Sequence, residues 1–198
     1  MLNDSVTASL DKGIQSCTSC ELHRLPINRD QGKLLGFGKF GKLMIVGLNP
    51  SVRRLNSIVY NITPNAPENT GAWYLWKVIE ELKLDTTELY ITNLVKCSTP
   101  DNRQPELAEY KMCTERWFYQ ELFMSVPIVI ICLGEAVYKF MDDKFMDDSK
   151  VKKFISIEQV YHPAFIARTP QKYPEWLEQW QQLIRKNVNI KTLKEVVK

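Results

Sequence analysis

The sequence predicts an α/β protein, a three-layer αβα arrangement around a short central parallel sheet of about four strands. Three observations carry this reading. Four short apolar runs recur along the chain, at residues 43–46, 89–95, 128–133 and 155–161. Segments with the length and apolar spacing of helices separate them. Strands that alternate with helices are joined by crossovers, which makes the sheet parallel and covers both of its faces.

The elements follow in order. Residues 24–42 are rich in Gly and Lys and read as a long loop. Within it, Gly36-Phe37-Gly38-Lys39-Phe40-Gly41 matches G-x-G-x-x-G in form. A dinucleotide fingerprint must follow a strand and open a helix. Here the glycines precede the first strand, so no nucleotide site is expected. Residues 71–84 carry Leu75, Val78, Ile79 and Leu82 at helical spacing, and residues 105–123 carry Leu107, Tyr110, Trp117 and Leu122. A shorter helix is expected at 135–141 and a longer one at 174–186.

The chain has 198 residues, enough for one sizeable core. We expect a single domain over residues 1–198, with 187–198 a loosely docked or disordered tail in which Leu193, Val196 and Val197 recur. A net charge of +3 permits nucleic acid as a partner without demanding it. No apolar stretch reaches the roughly 18 residues of a membrane span. With no secretory signal in view, a reducing cytoplasmic setting and a monomeric chain are expected.

Five cysteines are present. Cys17 and Cys20 form C-T-S-C, and Cys97 and Cys113 follow far downstream. Four thiolates are a complete ligand set for one metal centre, either an iron–sulfur cluster or a structural zinc. Such a centre would tie the N-terminus to the middle of the chain. Cys132 sits inside Val129-Ile130-Ile131-Cys132-Leu133 and reads as a small core residue. His23 follows the cysteine pair and reads as a surface residue, with a place beside the metal centre as the alternative.

Open parallel sheets bind ligands beyond the C-terminal ends of their strands. In this chain the first strand runs into Gly47-Leu48-Asn49-Pro50-Ser51, the second carries Thr92-Asn93, the third ends at Gly134, and the fourth ends at His162-Pro163-Ala164. Each of these alone is an ordinary turn residue. Two asparagines and a histidine at matching strand ends point instead to one shared crevice.

These segments, together with Cys17–Leu22, Thr92–Cys97, Pro100–Arg103 and Cys113, resemble the uracil-DNA glycosylase superfamily, most closely its iron–sulfur-containing family 4. The resemblance runs from about Cys17 to Arg168. It implies a [4Fe–4S] cluster on Cys17, Cys20, Cys97 and Cys113, with zinc as the alternative occupant. The chain departs from family 4 in two places. Asn49 stands where that family has an acidic residue, as in the mismatch-specific and single-strand-selective branches. Residues 56–73 contain no Phe to stack on a base, leaving Tyr60, Trp73 and Tyr74 as aromatic candidates.

The resemblance also implies roles. Asn93 would read uracil, its amide NH2 on O4 and its carbonyl on N3–H. Gly47 and Leu48 would line the base site. Asn49 would hold the attacking water, and His162 would donate to O2 of the departing base. Lys96, Arg103 and Arg168 are candidates to grip phosphates of uracil-containing DNA, with Lys139, Arg53 and Arg54 beside them. Phe165 and Ile166 read equally as a duplex-probing wedge or as core. Two further readings use the same residues, a silent nucleic-acid-binding relative and a metal-stabilised interaction protein.

Overall fold

A run such as Leu43-Met44-Ile45-Val46, apolar at every position, suits a strand that is covered on both faces. In the computed structural model, which describes residues 2–30, 32–51, 62–145 and 155–188, this run forms β2 (Leu43–Gly47), buried at all five positions. The strands β3 (Leu89–Asn93) and β4 (Val129–Leu133) are also buried throughout. By contrast β5 (Ser156–Val160) is half-open, as suits its place at the sheet edge. These four are parallel neighbours, with β3 and β4 flanking β2 and β5 beyond β4.

A fifth strand, β1 (Phe37–Gly38), pairs antiparallel with β3 at the other edge, Phe37 opposite Ile91. It lies in the stretch expected to be loop, as does the short helix α2 (Pro26–Asp30). The glycines around it serve close backbone approach. A Cβ on Gly36 would collide with the Tyr90 hydroxyl, and Gly38, at φ +98°, would collide with the Leu89 carbonyl. The G-x-G-x-x-G string therefore docks an edge strand.

The two sheet faces are covered by different helices. On one face Leu43, Ile45, Ile91 and Ile131 pack with α3 (Gly71–Glu81) and α8 (Tyr173–Val188), through Leu75, Val78, Trp176 and Trp180. On the other, Met44, Val46, Ile130 and Cys132 pack under α5 (Tyr119–Ser125) and α6 (Glu135–Phe145), through Leu122, Val137 and Met141, and under Phe118 just before α5. Burying each of these large side chains contributes roughly 1.5–3 kcal/mol. Helix α3 starts at Thr70, whose Oγ1 accepts from Trp73 N at 3.1 Å and satisfies one otherwise orphaned donor.

Three features depart from the sequence reading. An N-terminal helix, α1 (Leu2–Gln15), seats Leu10 and Ile14 against Trp117. The helix expected over 105–123 is α4 (Leu107–Cys113), then a widened π turn over Thr114–Phe118, then α5. Leu107, assigned to its buried stripe, is 83% exposed because it sits in the first turn and faces outward. After β5 a short helix, α7 (Pro163–Arg168), is capped by His162. Ile166 is fully buried and belongs to the core, and Phe165 leans on Tyr161 and the same core, so Ile166 is not a wedge. Tail residues 189–198, with Leu193, Val196 and Val197, lie outside the described residues.

Candidate functional site

The order of the parallel strands reverses at β2, between β3 and β4. The crevice beyond such a switch point is where this kind of sheet binds ligands. A cavity of about 720 Å³ opens there, lined by Gly47, Leu48, Asn49, Asn93, His162 and Arg168 among others. The structure thus brings the three polar residues picked out at strand ends to one wall-to-wall space.

Asn93 ends β3 opposite Gly47 at the end of β2. Its side chain is nearly buried and has no hydrogen-bond partner among the described residues. Its amide is not among the fully buried unpaired groups, so it opens onto the cavity, where a ligand can reach it. The main chain behind it is held firmly. Lys96 Nζ donates to the Asn93 carbonyl and to Thr92 Oγ1, both at 2.7 Å, and pairs with Glu121 at 2.5 Å. Thr92 Oγ1 and the Tyr90 hydroxyl also donate to Glu121.

This network corrects one expectation. Lys96 is 1% exposed and its ammonium is spent inside the protein, so it does not reach DNA phosphates. A sequence shows a lysine beside a cysteine but not the glutamate 25 residues on that draws it inward. Arg103 is also committed, gripping Glu109 with two hydrogen bonds of 2.7 and 2.8 Å. That bond holds the Glu109 carboxyl below its usual range. Arg168 stands exposed at the cavity rim. Lys139 pairs with Glu135 on the surface of α6. Arg53, Arg54 and Tyr60 lie outside the described residues.

His162 has its Nδ1 at 3.0 Å from Ala164 N, accepting the cap bond of α7. An accepting Nδ1 leaves the ring proton on Nε2. The residue is exposed on the cavity side, yet desolvation by the protein around the ring, with the Arg168 charge adding to it, pushes its pKa down to about 4. The group is therefore a neutral imidazole whose Nε2–H is free to donate.

Asn49 lies half-buried on the loop after β2. Its Nδ2 donates to Pro50 O at 3.2 Å and to Thr99 Oγ1 at 3.3 Å. Its carbonyl oxygen is left to accept. Thr99, not singled out from the sequence, is thereby part of the site. Trp73 and Tyr74 do not line the cavity. Tyr74 is core, and Trp73 packs beside it under the Lys77 ammonium. Among the described residues no Phe, Tyr or Trp side chain faces the space.

The four cysteines meet elsewhere. Cys17, Cys20, Cys97 and Cys113 line one pocket between the end of α1, the loop after β3 and the end of α4, together with His23, Lys96 and Trp117. His23 is thus beside the cysteines, its Nδ1 against the Cys20 carbonyl, and not a free surface residue. Cys132 is in the sheet core, as expected. Burial pushes the Cys97 and Cys113 thiols up to about 12 and about 11. Such thiols ionise when a cationic centre compensates them. One donor already faces the pocket: Lys96 N–H points at Cys113 Sγ from 3.3 Å. Among the described residues no three His, Cys, Asp or Glu side chains are placed to hold a single metal ion.

Comparison with known proteins adds to this geometry. The family model of the uracil DNA glycosylase superfamily matches residues 36–184. The chain is 27% identical over 177 residues to the type-4 uracil-DNA glycosylase of Archaeoglobus fulgidus, covering 82% of this chain and 84% of that one. It is 28% identical over 172 residues to the type-4 enzyme of Sulfurisphaera tokodaii, covering 78% and 73%. With that of Thermotoga maritima it shares 26% over 164 residues, covering 78% and 80%. Among solved structures, SMUG2 of Pedobacter heparinus superposes with a TM-score of 0.55 at 14% identity, over 75% of this chain and 76% of that one, a likeness of fold.

Proposed function

The chain belongs to the uracil DNA glycosylase superfamily, and from that premise we propose that it hydrolyses the N-glycosidic bond of uracil in DNA, the first step of base excision repair. The observation that carries this reading is the convergence of Asn49, Asn93 and His162 on one cavity at the strand ends. The type-4 relatives support the same activity.

The residues divide the work. The target nucleotide leaves the stack at a cost of a few kcal/mol. The unpaired Asn93 amide meets O4 and N3–H of the flipped base and recovers part of that cost, while Gly47 and Leu48 close on the base. Cleavage builds negative charge on the departing uracil. The neutral His162 donates its Nε2–H to O2, a preorganised bond of about 3–4 kcal/mol in the transition state. The Asn49 carbonyl accepts from a water near C1′ and orients it. An amide is too weak a base to take the proton early, so the water attacks a nearly formed sugar cation. Arg168 at the rim is the cation best placed for a phosphate.

The cysteine pocket fits a [4Fe–4S] cluster with a structural role. The four cysteines lining one pocket support a four-thiolate centre, and the family-4 resemblance favours the cluster over zinc, which stays the alternative occupant. When bound, the cluster links α1, the loop after β3 and α4. Among the described residues no helix is long and apolar enough to cross a membrane, and we read the chain as a single domain acting as a monomer on DNA.

The test is direct. A labelled oligonucleotide with one uracil is incubated with the protein and treated with alkali. Strand breakage at the uracil supports the reading. Retarded migration without breakage would assign the chain to a silent DNA-binding role.

A further inference from the structure

We propose that Thr99 is the positioning residue that decides which end of the Asn49 amide faces the cavity. This rests on the water-holding role given to Asn49. An amide is nearly symmetric in shape, and its two ends do opposite things. The oxygen accepts from a water and leaves a lone pair of that water free for attack. The NH2 group would instead donate to the water and occupy that lone pair. Asn49 is useful in one orientation only, and something must select it.

The selection is visible as a chain of hydrogen bonds with one allowed direction. Thr99 Oγ1 lies 2.5 Å from the carbonyl of Arg103. A carbonyl only accepts, so the Thr99 proton is spent there. Thr99 Oγ1 can then offer Asn49 only a lone pair. The Pro50 carbonyl, on the same side of the Asn49 amide, likewise only accepts. Two acceptors at 3.2 and 3.3 Å require NH2 at that end. Turning the amide over would set its oxygen against both.

The far end of the chain is anchored as well. Asp101 and Asn102 both adopt left-handed backbone, at φ +50° and +55°, and turn the loop so that the Arg103 carbonyl comes back over Thr99. The Arg103 side chain is clamped by Glu109 of α4, which also accepts from Glu106 N at 2.7 Å. Thr99 itself is 2% exposed, so water does not compete for its hydroxyl. The polar stretch 99–103 is thus a rigid template for the orientation of Asn49.

Three variants test this: Thr99→Val, which keeps the shape and removes the hydroxyl, Thr99→Ser, which restores it, and Asn49→Ala. The amide protons of Asn49 are followed by NMR and assigned by their loss in Asn49→Ala. In Thr99→Val they should shift and exchange faster with water, and in Thr99→Ser they should match the wild type. Single-turnover excision by Thr99→Val should fall about tenfold or more, with binding of an uncleavable uracil analogue within about threefold of wild type. Thr99→Ser should recover most of the rate. Unchanged Asn49 amide signals in Thr99→Val would overturn the proposal whatever the rate. Equal losses in binding and in rate would do the same, because they mark a collapse of the loop. A wild-type protein that excises nothing would defeat the proposed activity instead, and the amide signals would still judge the role of Thr99.

Discussion

Gly47 and Asn93 are register partners at the ends of β2 and β3, and a methyl group on Gly47 would stand 2.1 Å from Asn93 Oδ1. The Asn93 amide, proposed to read the base, occupies the space that the glycine leaves open. Gly47→Ala should therefore push Asn93 aside while sparing the sheet. Excision should fall at least about thirtyfold, the equivalent of two lost hydrogen bonds at about 1 kcal/mol each. Asn93→Ala should lose as much, and the double variant no more than either alone. Additive losses in single-turnover assays would separate the two residues.

The role proposed for His162 is that of a neutral donor, and it has a pH signature. With its pKa pushed down to about 4, the folded protein leaves the ring unprotonated across the physiological range. Single-turnover excision should be flat between about pH 8 and about pH 5, without a limb near the ordinary histidine value of about 6.5. The unfolded chain takes up its proton first. This residue therefore subtracts stability as pH falls from 6.5 toward about 4, and has no effect above that window. A rate that climbs as pH drops through 6.5 would mean the charged imidazole is the working form. His162→Ala should slow cleavage about tenfold to a thousandfold.

The cations part company in salt titrations. Arg168→Ala should reduce the slope of log affinity for DNA against log salt by about one contact. Lys96→Met should leave that slope unchanged and lower the melting temperature sharply. Breaking a buried ion pair from one side costs about 3–5 kcal/mol, because the partner charge is stranded. Lys96→Met combined with Glu121→Leu should recover much of the loss. A Lys96 variant with a reduced salt slope and normal stability would return Lys96 to the DNA surface.

Anaerobically purified protein should be brown and carry about four irons per chain. Cys97→Ser should lose the iron and melt earlier, since a cluster held by Cys97 would join the loop after β3 to the segment after α1. Stoichiometric zinc with no iron in the same preparation would replace the cluster with a single ion.

Much of this was legible in the sequence because it was local. Apolar runs of strand length marked β2, β3, β4 and β5, and the residues that follow strands marked Asn49, Asn93 and His162. The cysteines were legible through their number and spacing. What escaped depends on partners distant in the chain. Lys96 looked like a surface cation until Glu121 was brought beneath it. Thr99 looked like any loop threonine until the turn at Asp101 and Asn102 folded Arg103 back on it. Among the described side chains of α1, Leu10 and Ile14 are the buried apolar ones, a weak stripe that gains meaning from Trp117.

Helix α8 has a consequence for the segment that carries His162. Tyr161, next to His162, is held from both sides by α8: Trp176 Nε1 donates to its carbonyl at 2.9 Å, and its amide faces Gln179 Oε1 at 3.4 Å. No described residue of α8 is among those that line the cavity. A change in how α8 packs would therefore reach the cavity through Tyr161 and the histidine beside it, leaving both asparagines where they are.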